Sequence, residues 1–408
     1  MIFKVTLSPA LCDTMNMKII AVLLAVVVVG GGAATYYVLS QDKAQTSYDA
    51  GSFEIVGRVN SEGSGLFIKT SELSGTDPLQ RNGTNFFDAE YKITAANKAA
   101  WGGLILGDPG ATSIQHTQLA AIASNAGLEF KQFIAGTTPN ANTLYYVTNL
   151  SDMGKIQGDT DIQGGIIWEP QFQRVITEVA GYQTLALTND IFSEHTCCVV
   201  AAKHSWLTSH SDAASQFLAG YVKGVNFVRA ALADPTSENY TWLVNYAKAN
   251  MAAGTLTVAE VEAAFAGITY LSADGADGNL SALTADVKDL ATNLKNLGLI
   301  TSNKFNNADA FSKAFVNDTY MKKAVANNYT KTTSTVRVAA INGDIHQIAI
   351  QVAMEKNFFD EGLTIELNTT PAAGGAVATL LVSGDADIGF LGAPPATLTT
   401  INGNLIQV

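Results

Sequence analysis

The sequence predicts an α/β fold, and three stretches of the chain carry this prediction. From 99 to 203, short apolar runs alternate with amphipathic segments and with turns rich in Gly and Pro, which is typical of alternating strands and helices. From 212 to 324 the apolar residues return at helical spacing. From Val336 to Val408 the pattern is βαβαβαβ, and such a series builds a right-handed, parallel sheet.

Folding is expected to begin near Phe53, before the first of these stretches. The runs FEIVGRV and SGLFIK lie on either side of the polar turn 60–64, which predicts a hairpin of two strands. The polar segment 72–100, punctuated by Gly and Asn, is predicted to be an insertion or a segment that crosses the fold.

The first α/β stretch opens with a strand over Leu104–Leu106. In the helix after it, Ile114, Leu119, Ile122 and Ala123 lie on one face. The runs TLYYVT, IQGGIIWEP, TLALTND and TCCVVAAK predict further strands. Helices are expected over Asp212–Ala233, Glu238–Ala252, Val258–Gly267, Leu283–Leu297 and Ala308–Ala324.

The C-terminal stretch follows the polar linker 327–335 and is the most regular part of the chain. Its strands are predicted over Val336–Ile341, Leu363–Leu367, Ile388–Leu391 and Leu405–Val408. Helices are predicted between them, one starting after the turn 342–344, one over Ala376–Val382 and one opened by Pro394. Because the sequence stops inside the fourth strand, we expect this half-sheet to need a neighbouring strand, for which the hairpin 53–69 is the predicted partner.

An export signal is predicted near the N-terminus. Met17 and Lys18 precede the apolar run 19–39, which has about 21 uncharged residues and is long enough to cross a bilayer as a helix. A run of this length favours a membrane anchor over a cleaved signal peptide. Residues 1–14 are interpreted as an over-extended gene start, and 41–52 as a polar tether. The sequence has N-glycosylation sequons, typical of a cell-surface glycoprotein, at Asn82, Asn149, Asn239, Asn279, Asn317, Asn328 and Asn368.

Composition excludes several classes of function. The chain has 408 residues, 47% of them hydrophobic, and a net charge of −12; it has no run of Lys and Arg that could neutralise phosphates, so nucleic acid is not an expected partner. Three cysteines supply neither a disulfide framework nor a zinc site with two paired-cysteine arms. Cys197 and Cys198 are expected to be a buried apolar pair. No cofactor, metal site or catalytic motif is predicted.

Several motif blocks resemble one family. VRVAAINGDIHQIAIQVAMEKNFFDEGLTIELNTT, followed by LLVSGDADIGFLGAPPATLTTINGNLIQV, resembles the opening of the periplasmic solute-binding proteins of nitrate, sulfonate and taurine ABC importers. The blocks FEIVGRVNSEGSGLFIK, GDPGATSIQHTQLAAIASNAGL, IQGGIIWEPQF and SEHTCCVVAAK resemble the middle of such proteins, and 212–324 resembles their C-terminal part. The resemblance implies a two-lobed fold of the type II periplasmic binding proteins, permuted so that the first βαβαβ segment is C-terminal.

This order of segments has three explanations. One is a circular permutation, because the linker is long enough to join the old end to the new start. Another is exchange of the segment into a neighbouring molecule, which would build open fibres. A broken reading frame is the third.

The predicted parts are a leader over 1–44 with the anchor at 17–39, part of lobe 1 and a crossing segment over 45–98, lobe 2 over 99–194, a return to lobe 1 with helices and linker over 195–334, and the permuted half of lobe 1 over 335–408.

The resemblance implies a ligand site between the lobes, beyond the carboxyl ends of the strands. For each loop there is also a structural interpretation: Thr112 or Ser113 as a helix N-cap, 392–394 as a plain Pro-started helix, and Trp168 or His346 as buried core residues. Glu169 and Asp344 argue against a purely anion-selective pocket. The predicted ligand-binding residues are Asn342, Gly343, Asp344, His346, Gly392, Ala393, Pro394, Ser61, Glu62, Thr112, Ser113, Gln115, His116, Trp168, Glu169 and His195.

The expected function is capture of a small anionic solute, similar to nitrate, sulfonate or taurine, at the cell surface or in the periplasm. Closure of the two lobes would then present it to the permease of an ABC importer. One alternative is a structural surface protein that polymerises by exchange of 335–408. A remote alternative is an enzyme similar to the pyrimidine-forming branch of the superfamily, which carries a dense cysteine cluster where this chain has only 195–198.

Overall fold

The computed structural model describes residues 48–49, 51–74, 79–148, 156, 158–159, 161–404 and 406–407. Within these residues the strands form two six-stranded mixed sheets and two two-stranded antiparallel sheets. The predicted leader 1–44, with its anchor at 17–39, lies outside these residues, and so does the sequon at Asn149. Residues from Gln45 onwards form one compact unit. Within the described ranges, no helix has the length and apolar character needed to cross a membrane.

The strands follow the apolar runs of the sequence. In chain order they are Tyr48–Asp49 (β1), Phe53–Glu62 (β2), Ser64–Lys69 (β3), Gln80–Arg81 (β4), Thr84–Asn85 (β5), Ile105–Gly107 (β6), Glu129–Gln132 (β7), Thr143–Val147 (β8), Gly164–Trp168 (β9), Tyr182–Leu187 (β10), Thr196–Lys203 (β11), Ile268–Tyr270 (β12), Ser334–Ala339 (β13), Leu363–Asn368 (β14), Ile388–Gly392 (β15) and Ile406–Gln407 (β16).

The helices fill the amphipathic stretches between the strands. The α-helices are Lys98–Trp101 (α1), Ile114–Asn125 (α2), Gln171–Glu178 (α3), Thr188–Ile191 (α4), His204–Ser209 (α5), Ser211–Ala233 (α6), Glu238–Asn250 (α7), Val258–Ala266 (α8), Ser281–Asn296 (α9), Ala308–Phe315 (α10), Thr319–Val325 (α11), Ile348–Glu355 (α12), Gly374–Ser383 (α13) and Ala393–Thr399 (α14). Short 3₁₀ turns lie at Thr70–Glu72, Ala95–Asn97, Met251–Gly254 and Ile345–Gln347, and a π-helical turn at Thr400–Asn404.

The first sheet has the order β12-β2-β11-β15-β13-β14. The C-terminal strands β14, β13 and β15 run parallel, while β11 is antiparallel to both β15 and β2. The parallel pairing predicted for the C-terminal stretch is therefore confirmed for these three strands. We call this sheet and the helices packed on it, residues 53–62 and 196–404, the first lobe.

The second sheet has the order β10-β3-β9-β6-β8-β7. Its strands β9, β6, β8 and β7 are parallel, and β3 is antiparallel to β9 and β10. We call residues 64–191, as far as they are described, the second lobe. The predicted insertion 72–100 belongs to it, because Phe86 and Phe87 pack with Trp101 in its core, where the Trp101 indole Nε1 donates to the Phe86 carbonyl at 2.8 Å.

The predicted hairpin 53–69 is wrong. β2 and β3 are consecutive in sequence, yet β2 pairs with β11 and β12 in the first sheet, and β3 pairs with β9 and β10 in the second. Between them, Gly63 has a φ of +91°, a conformation that turns the chain out of the first sheet and that glycine adopts without steric cost. The chain therefore crosses to the second lobe at Gly63, which moves the predicted lobe boundary from 98 to 63, and it returns through 192–196.

The end of the C-terminal stretch also differs from expectation. β16 does not extend the parallel sheet; it pairs antiparallel with β1, because β11 already occupies the edge of β15. The neighbour of the half-sheet is thus β11 rather than β2. In this single-chain structure, β11 and the C-terminal strands belong to one continuous sheet.

Helix α6 shows how sequence sets the packing of the first lobe. Phe217, Tyr221, Val225 and Val228 recur at helical spacing and are fully buried. Gly224 lies on the same helix, and a Cβ there would approach the Ala349 carbonyl oxygen of α12 to 2.3 Å. The glycine therefore lets the two helices lie close together. The buried pair predicted for Cys197 and Cys198 is confirmed, with both thiols free.

Candidate functional site

A cavity of about 830 Å³ lies between the two lobes. Its walls come from β2 and α9 of the first lobe, from α2 of the second lobe and from the connection 192–196 that joins the lobes. Its size is in the range of small-molecule sites in proteins, about 300–1,000 Å³. The apolar part of the lining consists of Ile114, Ala121, Phe192, Leu271, Ala282, Val287, Leu290 and Ala393.

A buried ion-pair network forms one polar wall. Arg58 projects from β2 and is 7% exposed; its Nη1 donates to Asp274 Oδ1 at 2.9 Å, and its Nη2 lies 3.4 Å from Asp286 Oδ2. Thr196 joins the network, since its hydroxyl accepts from Arg58 Nη2 at 2.7 Å and donates to Asp286 Oδ2 at 2.5 Å. The third nitrogen of the guanidinium, Nε, has no partner among the described residues.

Gln118 and His195 form a second polar part of the lining. The His195 Nδ1 lies 2.6 Å from the Phe192 carbonyl oxygen, so Nδ1 carries a proton and donates. Burial lowers the pKa of His195, although the Phe192 carbonyl favours the charged form, and the ring is therefore neutral with Nε2 as an acceptor. Gln118 Nε2 donates to that nitrogen at 3.0 Å. This leaves Gln118 Oε1 without a donor among the described residues, on a side chain only 4% exposed.

The charge of the lining is strongly negative. Arg58 is the one lysine or arginine among the lining residues. The lining carboxylates are five: Glu62, Glu194, Asp274, Asp286 and Asp289. Such a cavity attracts positive charge and repels anions. The predicted preference for an anionic solute therefore finds no support in this lining.

A second cluster lies at the crossing of the chain and consists of Gly63, Glu169, Asp344 and His346. The Gly63 carbonyl oxygen accepts two hydrogen bonds, from Glu169 N of the second lobe at 2.9 Å and from His346 Nε2 of the first lobe at 2.9 Å. His346 Nδ1 lies 2.7 Å from Asp344 Oδ1. Both ring nitrogens thus face acceptors, as in an imidazolium. Burial opposes that charge, but the Asp344 carboxylate outweighs it and the pKa of His346 rises to about 9.

Comparisons with known proteins give two distant structural likenesses. Neither a protein-family model nor a curated protein sequence matches the chain. The ligand-binding component of an ABC-type import system from Staphylococcus aureus, with zinc bound, is 16% identical, with a TM-score of 0.44 over 67% of this chain and 75% of that one. The periplasmic nitrate-binding protein from Synechocystis PCC 6803 is 10% identical, with a TM-score of 0.44 over 68% of each chain. Likenesses at this level decide nothing about the site, whose chemistry rests on its own side chains.

The predicted ligand residues fall into three groups. Ser61, Glu62, His195 and Ala393 line the cavity. Glu169, Asp344 and His346 belong to the Gly63 cluster. The others lie elsewhere, and most of them have structural partners.

Gln115 Nε2 donates to Ser64 Oγ at 2.8 Å, and His116 Nδ1 lies 2.8 Å from Asp108 Oδ2. Ser113 is the N-cap of α2, with its Oγ accepting from His116 N. The remaining predicted residues do not line the cavity: Thr112 and Asn342 are exposed, the Gly343 carbonyl accepts from Ala252 N, Gly392 is the N-cap of α14, Pro394 lies in its first turn, and Trp168 packs against the core of the second lobe.

The residues that the sequence analysis missed are Arg58, Gln118, Thr196, Asp274 and Asp286. One signal was present: Arg58 interrupts the apolar strand FEIVGRV, and an arginine in a buried strand needs carboxylate partners. The identity of those partners, more than 200 positions away in the chain, carries no local pattern.

The Gly63 cluster predicts a pH-dependent stability. Burial raises the pKa of Glu169 to about 7 from its usual value of 4.5. The folded protein therefore holds this proton up to a higher pH than the unfolded chain does, and the free energy of unfolding should fall as pH rises from 4.5 to 7, by about 3 kcal/mol for this group.

Glu169→Gln removes this titration. Urea denaturation between pH 4.5 and 8 should show a shallower fall for the variant, whereas exposed Glu238→Gln should keep the wild-type slope. Equal slopes for wild type and Glu169→Gln would contradict the assignment.

Proposed function

We propose that the protein binds a small solute in the cavity between its lobes, outside the cytoplasm, and presents it to an ABC importer. The observation that carries the proposal is the cavity itself: about 830 Å³ in volume, placed between two sheets that the chain joins only through short crossings in its described part.

The sequence resembles nitrate, sulfonate and taurine binding proteins. This resemblance supports an ABC importer as the partner and a circular permutation as the explanation for the order of the segments. The same proposal includes that the protein is exported, that 17–39 anchors it in the membrane and that it is glycosylated. Polymerisation by exchange of 335–408 is not proposed, because β11 of the same chain pairs with β15.

The test is a binding screen on the purified full-length protein. Thermal unfolding with nitrate, sulfonates, pyrimidines, amino acids and organic amines should reveal at least one class that raises the unfolding midpoint, since a ligand specific for the folded state stabilises it by mass action. Gln118→Leu should abolish the shift while the unliganded midpoint stays within about 4 °C of wild type, the change expected for about 1 kcal/mol. A protein that no class stabilises would refute solute capture.

A further inference from the structure

We infer that Cys197 and Cys198 form a reversible disulfide with each other, which makes the start of β11 a redox site. This inference goes beyond solute binding and draws on the proposed function only for the location of the protein outside the cytoplasm. Disulfides form and persist in such oxidising surroundings, whereas the cytosol keeps thiols reduced.

A β-bulge brings the two sulfur atoms together. Adjacent side chains of a regular strand point to opposite faces of the sheet. In the pairing of β11 with β2, Thr196 lies opposite Ser61. The next paired residues are Cys198 and Asn60, so Cys197 is the extra residue of a bulge, which re-aims its side chain. The Cys197 Sγ consequently lies 3.8 Å from the Cys198 Sγ, and the two atoms are in contact.

The bond would be a redox element rather than a structural staple. A disulfide stabilises mainly by closing a long loop of the unfolded chain, and these two cysteines are neighbours in the sequence. The Cα atoms of neighbouring residues are about 3.8 Å apart, which is closer than the roughly 4.4–6.8 Å of ordinary disulfides. A ring under such strain is easily reduced, so the reduced and the oxidised state are both accessible.

The oxidant is a small disulfide such as oxidised glutathione. Both side chains are only 4% exposed, so the exchange takes place while β11 folds or when it opens locally. The Cys197 thiolate attacks one sulfur of the oxidant and expels one glutathione thiolate. Cys198 then loses its proton, attacks the Cys197 Sγ of the mixed disulfide and expels the second glutathione. The two cysteines lose two protons and two electrons, which convert the glutathione disulfide into two thiols.

The pair lies where the chain returns from the second lobe to the first. Thr196, the residue directly before Cys197, lines the cavity, and its hydroxyl accepts from Arg58 and donates to Asp286. Closing the ring turns the backbone at Cys197, to which Thr196 is joined. The redox state of the pair therefore acts on a polar wall of the cavity.

The experiment follows the two thiols through refolding. The full-length protein is reduced, unfolded in urea and refolded with an excess of oxidised glutathione; free thiols are then alkylated in denaturant and located by mass spectrometry of tryptic peptides. Both cysteines lie in one tryptic peptide, 175–203, which should be lighter by two hydrogen atoms and take up no alkylating agent. Treatment with dithiothreitol should restore both alkylation sites.

The matched control moves one cysteine along the strand. Cys197→Val combined with Val199→Cys leaves adjacent cysteines at 198 and 199, which pair one for one with Gly392 and Leu391 of β15 and therefore point to opposite faces. Valine and cysteine are both small and apolar, so the control should refold, which circular dichroism checks. Both of its thiols in this strand should stay open to alkylation after the same treatment.

Three results would overturn the inference. One is alkylation of both cysteines, or a glutathione adduct without a ring, in the refolded wild type. Another is a bond between peptide 175–203 and peptide 5–18, which carries Cys12. The third is a ring that forms equally in the control. None of these results depends on a solute or on the location of the protein, so the proposed function is judged separately by its binding screen.

Discussion

Gly63→Ala is expected to lower the free energy of unfolding by about 3 kcal/mol. An alanine in the left-handed region costs about 1–2 kcal/mol, and Gly63 has a φ of +91°. Its Cβ would also lie 2.2 Å from His346 Nε2 and 2.8 Å from Ile268 Cγ1. His346 is held by Asp344 and is almost fully buried, so it cannot move aside, and overpacking of this kind costs a further 1–3 kcal/mol.

Gly83→Ala is the matched control. Gly83 also has a positive φ, +70°, but nothing lies within 4 Å of its added Cβ, so this variant should lose only the backbone contribution. Urea denaturation of both variants at pH 7 measures the difference, which isolates the contact at the crossing of the chain. If the two variants lose the same stability, His346 does not pack against Gly63 as described.

Local pattern predicted the elements of this fold better than their pairing. The C-terminal strands and the buried face of α6 follow from apolar periodicity alone. The hairpin 53–69 failed because a pattern of two strands and a turn does not say whether the strands pair with each other, and here each strand pairs with residues about 100 positions away or more. Secondary structure is local, whereas sheet membership is set by tertiary packing.

The predicted helix 308–324 shows the same limit. It is interrupted after Phe315, where Val316 is extended and forms a bridge to Ile55 of β2. Asn317 N donates to the Ile55 carbonyl at 2.8 Å, and Asn317 Nδ2 donates to Glu54 Oε2 at 2.8 Å. These tertiary contacts replace the hydrogen bonds of a continuous helix. A propensity argument could not foresee them.

The site was predictable only in part. Ser61, Glu62, His195 and Ala393, which line the cavity, were predicted within blocks of sequence that resemble the binding-protein family. Gln118 was not, because a glutamine on a helix is usually exposed, and its burial becomes informative only with His195 beside it. The resemblance indicated a small anion, while the assembled wall is acidic; the charge of a cavity depends on residues that meet only in the folded protein.

Arg58→Met is expected to lower the free energy of unfolding by about 3–5 kcal/mol, because removing one partner of a buried ion pair leaves the other charge uncompensated. Arg58 and Asp274 are both less than a tenth exposed. Methionine keeps the length of the side chain, so little packing is lost. Denaturation at pH 7 measures the effect, and Arg174→Met is the control: its pair with Glu178 lies on the surface of α3 and should contribute about 0–1 kcal/mol.

A double variant separates charge from packing at Arg58. If the loss comes from a stranded carboxylate, Asp274→Asn in the Arg58→Met background should recover part of it, and the coupling energy of the cycle should exceed about 1 kcal/mol. Recovery will stay incomplete, since Asp274 Oδ2 also caps α9 through Ala282 N and Asp286 keeps its charge. Additive losses would mean that Arg58 acts through its hydrocarbon stem.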